Sequence, residues 1–207
     1  MKEKVISAVT AVVMSAGVAG STSLPTHNVI LLDATSSNPM VANPDHARRV
    51  AGDLVGMIGS LEMRDFITVS TLGDYDVTKH PIREAEVTAK FTPNTAIRSI
   101  QTMIANFPED VKRLPGGIQE STHILGTLEM FARRVSCGER RVRLFVLTDG
   151  QENGQALNMS PGPIYQGCAE MTMIGVIGKN PAETKKLGEA WMKWCEAAGF
   201  ARCDYRS

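Results

Sequence analysis

The chain has 207 residues, 43% of them hydrophobic and 21% charged. That is one domain with enough apolar material for a single large core, which excludes wholesale disorder. Its 22 basic side chains balance 22 acidic ones, so the formal charge is zero. Phosphate binding needs a surplus of Lys and Arg on one face, so this balance argues against a nucleic-acid partner.

Met1-Lys2-Glu3-Lys4 is a short charged start. Residues 5–20 then carry no charge and are mostly Ala, Val, Gly and Ser. They close on small residues at Gly17, Ala19 and Gly20, before the polar Ser21-Thr22-Ser23. This is the order of a secretory signal peptide. We expect residues 1–20 to be a signal peptide and 21–207 the domain, with the product periplasmic or secreted. No stable membrane span is expected after processing. The alternative is a helix that stays, packed on the domain or anchored in a membrane.

The remainder alternates strand and helix. Residues 28–32 are almost wholly apolar, as suits a strand buried on both faces of a parallel sheet. Asp45 can cap a helix whose stripe is Val50, Leu54, Ile58 and Leu61. Residues 66–71 are rich in aromatic and β-branched types and read as a second strand. Val87, Ala89 and Phe91 alternate with polar residues, as an edge strand would. Pro93-Asn94-Thr95 opens a helix with the stripe Ile97, Ile100, Ile104, Phe107 and Val111. Leu114-Pro115-Gly116-Gly117 interrupts the chain, and Ile124, Leu128, Phe131 and Val135 mark a third helix.

Residues 142–148 are a strong strand followed at once by Asp149-Gly150. Residues 151–167 form a long loop rich in Gly, Pro, Asn and Ser, and loops of that length are usually functional. A strand over 171–177 follows. The last helix is capped by Asn180-Pro181, packs through Leu187, Trp191, Trp194 and Ala198, and stops at Gly199. Residues 201–205 form a final strand. This order predicts an α/β fold: a three-layer, Rossmann-like sandwich with a mainly parallel central sheet, one antiparallel edge strand and helices on both faces.

The four cysteines are Cys137, Cys168, Cys195 and Cys203. No Cys-x-x-Cys pair occurs and no His stands at ligand spacing, which argues against zinc. In an exported chain they can pair as Cys195–Cys203 and Cys137–Cys168; four buried thiols are the alternative.

In parallel sheets, ligands bind beyond the carboxyl ends of the strands. After the first strand the chain reads Asp33-Ala34-Thr35-Ser36-Ser37, and after the strong strand Thr148-Asp149-Gly150. Ser121-Thr122-His123 opens the third helix. The fold brings these segments to one rim, where Asp33, Thr35, Ser37, Thr122 and Asp149 offer two carboxylates and three hydroxyls. Hard oxygens of this kind select Mg²⁺, with Mn²⁺ or Ca²⁺ as alternatives, over zinc or copper. Each residue alone could be a turn or cap residue: Asp149-Gly150 could close a hairpin, and Ser121 could serve in place of Thr122. Glu152 and Asn153 could line the rim or be solvated loop residues.

The residues after the first strand resemble the Asp-x-Ser-x-Ser motif of von Willebrand factor A domains, with Thr35 in place of the first Ser. Thr122 looks like the separate threonine of that family's metal-ion-dependent adhesion site. Leu147-Thr148-Asp149-Gly150 looks like its second aspartate segment. The resemblance implies that the hydroxyls bind the cation directly and the aspartates act mostly through water. One coordination position then remains for an Asp or Glu of a protein partner. Thr35 keeps the hydroxyl and adds a methyl. Family members usually carry a further helix after the last strand, the moving part in those that switch affinity; this sequence ends at Ser207, so such switching is expected only if the N-terminal segment fills that helix's place.

The function expected is metal-dependent protein–protein binding, with no enzymatic activity. A metal-dependent hydrolase or phosphatase on a similar scaffold is one alternative, although no paired nucleophile and base, Gly-x-Ser-x-Gly or second-metal cluster is visible. A scaffold module with a vestigial metal site is another.

Overall fold

The computed structural model describes residues 24–74, 76–135, 138–153 and 162–207. The expected signal peptide, Cys137 and the middle of the long loop lie outside the described residues. The sheet has six strands: β1 (Thr26–Asp33), β2 (Phe66–Leu72), β3 (Ile82–Glu86), β4 (Arg141–Leu147), β5 (Ala169–Ile174) and β6 (Arg202–Arg206). Their order is β3-β2-β1-β4-β5-β6, and only β3 runs antiparallel. The helices are α1 (Pro39–Ala42), α2 (Pro44–Ile58), α3 (Pro93–Ala105), α4 (Phe107–Asp110), α5 (Ile124–Ala132) and α6 (Pro181–Ala197).

β1 is the centre of the molecule because its side chains have nowhere else to go. Val29, Ile30 and Leu31 are fully buried, and parallel neighbours flank the strand on both sides. Alternation along the strand then divides the core. Ile30 and Leu32 pack with α1 to α4, whereas Val29 and Leu31 pack with α5 and α6. Helices therefore cover both faces, as the pattern predicts.

Local expectations are corrected at several points: the strand expected over 171–177 lies at Ala169–Ile174, and Leu61 and Val135 fall beyond the ends of α2 and α5. Asn43, not Asp45, caps α2: its Oδ1 accepts the N–H groups of Asp45 (3.0 Å) and His46 (3.1 Å). Pro44 occupies the first helical position, so the cap must be the residue before it. The stripe from Ile97 to Val111 is not one helix but α3 followed by α4. Pro108 has no N–H to offer the Ile104 carbonyl, so the helix breaks although Phe107 and Val111 stay buried. The edge strand lies at 82–86, ahead of the Val87, Ala89 and Phe91 alternation. There the Val87 N–H turns to the Asp65 carbonyl (2.8 Å), and a turn closes from Thr88 N–H to the Phe91 carbonyl (3.0 Å). Arg83, Glu84 and Glu86 blunt the true edge and hide its pattern.

Cys195 in α6 and Cys203 in β6 form a disulfide. Cys168 is disulfide-bonded as well.

Candidate metal centre

The carboxyl ends of β1, β2, β4 and β5 share one rim. Asp33 is the last residue of β1 and is fully buried. Its Oδ1 accepts two hydrogen bonds from Thr35, one from the backbone N–H (2.9 Å) and one from the hydroxyl (2.6 Å). Its Oδ2 accepts the Thr148 hydroxyl across from β4 (2.6 Å). The Thr35 Oγ1 lies 3.3 Å from the exposed Ser37 Oγ and accepts a hydrogen bond from the Thr122 hydroxyl (3.1 Å). Four of the five predicted residues thus meet in one connected set of oxygens. The fifth, Asp149, stands at the end of β4, is 3% exposed, and accepts the Gln151 N–H at 2.9 Å. Its charge reaches Asp33.

The electrostatics of the pair are unfavourable as it stands. Burial pushes the Asp33 carboxyl up to about 6 from its ordinary 3.8, and the Asp149 charge pushes the same way. Hydrogen bonds from Thr148 and Thr35 oppose this without cancelling it. Among the described residues neither carboxylate has a basic partner within ion-pair distance. Two buried carboxylates beside three hydroxyls, with no cation of the protein's own, form a donor set that fits a hard divalent ion. Among the described residues no group of three His, Cys, Asp or Glu side chains that could hold a metal ion forms, so the candidate centre rests on its hydroxyls as much as on its two carboxylates.

Sequence reasoning missed the residues that hold this set together. Asn38, 2% exposed, donates from Nδ2 to the carbonyls of Asp33 (2.8 Å) and Leu147 (3.4 Å). Its Oδ1 accepts the Met40 N–H (3.1 Å) and caps α1, so one side chain ties the ends of β1 and β4 to a helix. Gln119 lies beside the Thr35 loop: its N–H donates to the Ala34 carbonyl (3.0 Å) and its carbonyl accepts the Ser36 N–H (2.9 Å). Asn38 resembles any polar residue before a Pro in sequence, and Gln119 carries no motif.

The ambiguous positions are resolved by their partners. Thr122, not Ser121, reaches Thr35. Asn153 exchanges two hydrogen bonds of 2.9 Å with the Thr122 backbone, and Glu152 accepts the Leu125 N–H (2.9 Å) at the start of α5. Asn153 therefore braces the threonine, and Glu152 braces the first turn of the helix that follows it. Asp149-Gly150 closes no hairpin, because β4 and β5 are parallel. Trp191 is core, as expected, and its Nε1 also donates to the Gly150 carbonyl (2.9 Å), pinning the turn that carries Asp149.

No family model and no curated protein matches the sequence. Solved structures do match. An aerotolerance-related membrane protein of Bacteroides fragilis is 16% identical with a TM-score of 0.53, over 88% of this chain and 91% of that one. The protein BatB of Bacteroides thetaiotaomicron is 10% identical with a TM-score of 0.53, over 88% and 90%. The ArnB paralog VWA2 of Sulfolobus acidocaldarius is 16% identical with a TM-score of 0.52, over 87% of this chain. The chain spans 42% of that archaeal protein and 38% of a mussel byssus matrix protein it also matches. The fold is that of a von Willebrand factor A domain.

Proposed function

We propose that this chain is an exported von Willebrand factor A-like module that binds a divalent cation, Mg²⁺ first and Mn²⁺ or Ca²⁺ as alternatives, and through it a carboxylate of a protein partner. The observation that carries the reading is the connected oxygen set of Asp33, Thr35, Ser37 and Thr122, with Asp149 beside it and, among the described residues, no basic side chain in ion-pair contact with either carboxylate.

In this reading the hydroxyl oxygens of Thr35, Ser37 and Thr122 would hold the ion through their lone pairs, each keeping its proton and donating it to a carboxylate or to water. Asp33 and Asp149 supply the neutralising charge. The bound ion supplies an electrophilic point for one incoming carboxylate oxygen, which two aspartates alone would repel. The role is binding rather than turnover. Export is supported by the Cys195–Cys203 disulfide, since such bonds persist in oxidising compartments. Among the described residues no helix is long and apolar enough to cross a membrane.

The test is calorimetric titration of the chelated protein with Mg²⁺, Mn²⁺ and Ca²⁺. Saturable one-site binding is expected for the wild type and none for Asp149→Ala. Full binding by the variant, or none by the wild type, would overturn the proposal.

A further inference from the structure

Among the described residues β6 has a strand neighbour on one side only, the parallel β5. An edge of this kind presents open N–H and C=O groups to whatever can form the next rung. The ladder shows which groups are open. The Ala201 N–H donates to the Ala169 carbonyl (2.8 Å). The backbone groups of Ala201, Cys203 and Tyr205 therefore turn to β5, and those of Arg202 and Asp204 turn outward. The Arg206 carbonyl is already taken, by the N–H groups of Gly175 (2.9 Å) and Val176 (3.2 Å).

The side chains alternate as well. Cys203 is tied by its disulfide to Cys195 of α6, so Arg202, Asp204 and Arg206 stand on the other face of the sheet, toward α2. Among the described residues none of the three forms an ion pair. Glu170, the acid beside Arg202 in the register, is held by Arg141 at 2.5 Å. The edge thus shows open backbone and unspent charge of both signs, in the order basic, acidic, basic.

That order is complementary to a second copy of itself in one register. Two antiparallel β6 strands can set Arg202 of each copy opposite Asp204 of the other, with Cys203 at the two-fold axis. Both rungs then exchange main-chain hydrogen bonds through the open groups, and both carry opposite charges on one face. The neighbouring registers repel. One sets Asp204 opposite itself and Arg202 opposite Arg206; the other sets Arg202 opposite itself. The far edge of the sheet differs: β3 carries Glu84 and Glu86 on one face, so a second copy of β3 would meet acid with acid. We propose that the β6 edge joins two copies of this chain into one continuous sheet, held by reciprocal Arg202–Asp204 pairs. The joint does not depend on the metal reading. Because it is antiparallel, the two candidate metal centres lie at opposite ends of the dimer.

The test is sedimentation equilibrium of the full chain in EDTA, from micromolar to millimolar concentration. The wild type is expected to associate reversibly to dimers and no further, since each copy uses its one complementary edge. Arg202→Asp makes the facing positions wholly acidic, and Asp204→Arg makes them wholly basic. Each variant alone should dimerise about tenfold more weakly, the effect of turning two cross-strand attractions into repulsions. An equimolar mixture of the two variants should dimerise as the wild type does, because acid again faces base at both rungs. Melting temperatures equal to that of the wild type at micromolar concentration show that the variants fold, and recovery in the mixture shows it a second way. A wild type that stays monomeric at millimolar concentration would leave these charges as edge protection and overturn the inference. A dimer unmoved by either variant, or a mixture as weak as its parts, would overturn it equally.

Discussion

Replacing Asp33 by Asn separates the cost of the site from its use. In the metal-free protein the Asp33 carboxyl titrates near 6 rather than 3.8. Above that pH its ionised form costs the fold roughly 2–3 kcal/mol relative to the unfolded chain. Asn removes the charge and keeps the geometry. Its Oδ1 still accepts both hydrogen bonds from Thr35, and its Nδ2 donates to Thr148 Oγ1, which can accept it alongside the Gly150 N–H. We therefore expect Asp33→Asn to be more stable than the wild type in EDTA at neutral pH, by roughly 5–10 °C in melting temperature for a chain of this size. Mg²⁺ at a hundredfold excess over its dissociation constant should raise the wild type by about 2.7 kcal/mol and the variant not at all.

The pH dependence gives the sign independently. A carboxyl raised in the folded state contributes stability that is full below about 4 and lost as pH rises through about 6. His27 acts oppositely. Burial, with Arg140 nearby, lowers it from 6.5 to about 4, so its contribution is full above 6.5 and lost as pH falls toward 4. In the wild type the two offset each other between pH 4 and 6. In Asp33→Asn the His27 rise, on the order of 3 kcal/mol, is no longer offset by Asp33. Urea midpoints in EDTA from pH 4 to 7 measure both, and the difference between the profiles isolates Asp33. A variant less stable than the wild type at neutral pH, with a parallel pH profile, would refute the reasoning.

Two further perturbations test the supports. Asn38→Ala removes three buried hydrogen bonds, to Asp33, Leu147 and Met40; we expect a loss of about 2–4 kcal/mol in urea denaturation and weaker Mg²⁺ binding by calorimetry. Replacing Cys195 and Cys203 together by Ser opens a loop with a sequence separation of 8, at a cost of about 2–3 kcal/mol by loop entropy, read as a lower melting temperature with the Mg²⁺ shift retained.

The residues that announced themselves in sequence did so through repetition or chemistry. Continuous apolar strands named β1 and β4, and helical stripes named α2, α5 and α6. Asp33, Thr35 and Ser37 were visible because alternate residues on one loop can aim at one point. What stayed hidden depends on partners distant in the chain. Asn38 is explained by Leu147, more than a hundred positions away. Gln119 is explained by the backbone beside Thr35. Thr148 looked like the end of a strand until Asp33 gave its hydroxyl an acceptor. The edge strand was misplaced because solvent exposure lets it carry Arg83, Glu84 and Glu86, which erase the alternation that a buried strand must keep.

Asp33 ends the most deeply embedded strand, and that strand has parallel neighbours along both sides. A tug delivered at the rim is therefore carried lengthwise through β1. It loads the ladders to β2 and β4 together, in shear, instead of peeling them one bond after another. If the proposed function holds, the anchorage that a partner pulls on is thus a central strand held along both sides.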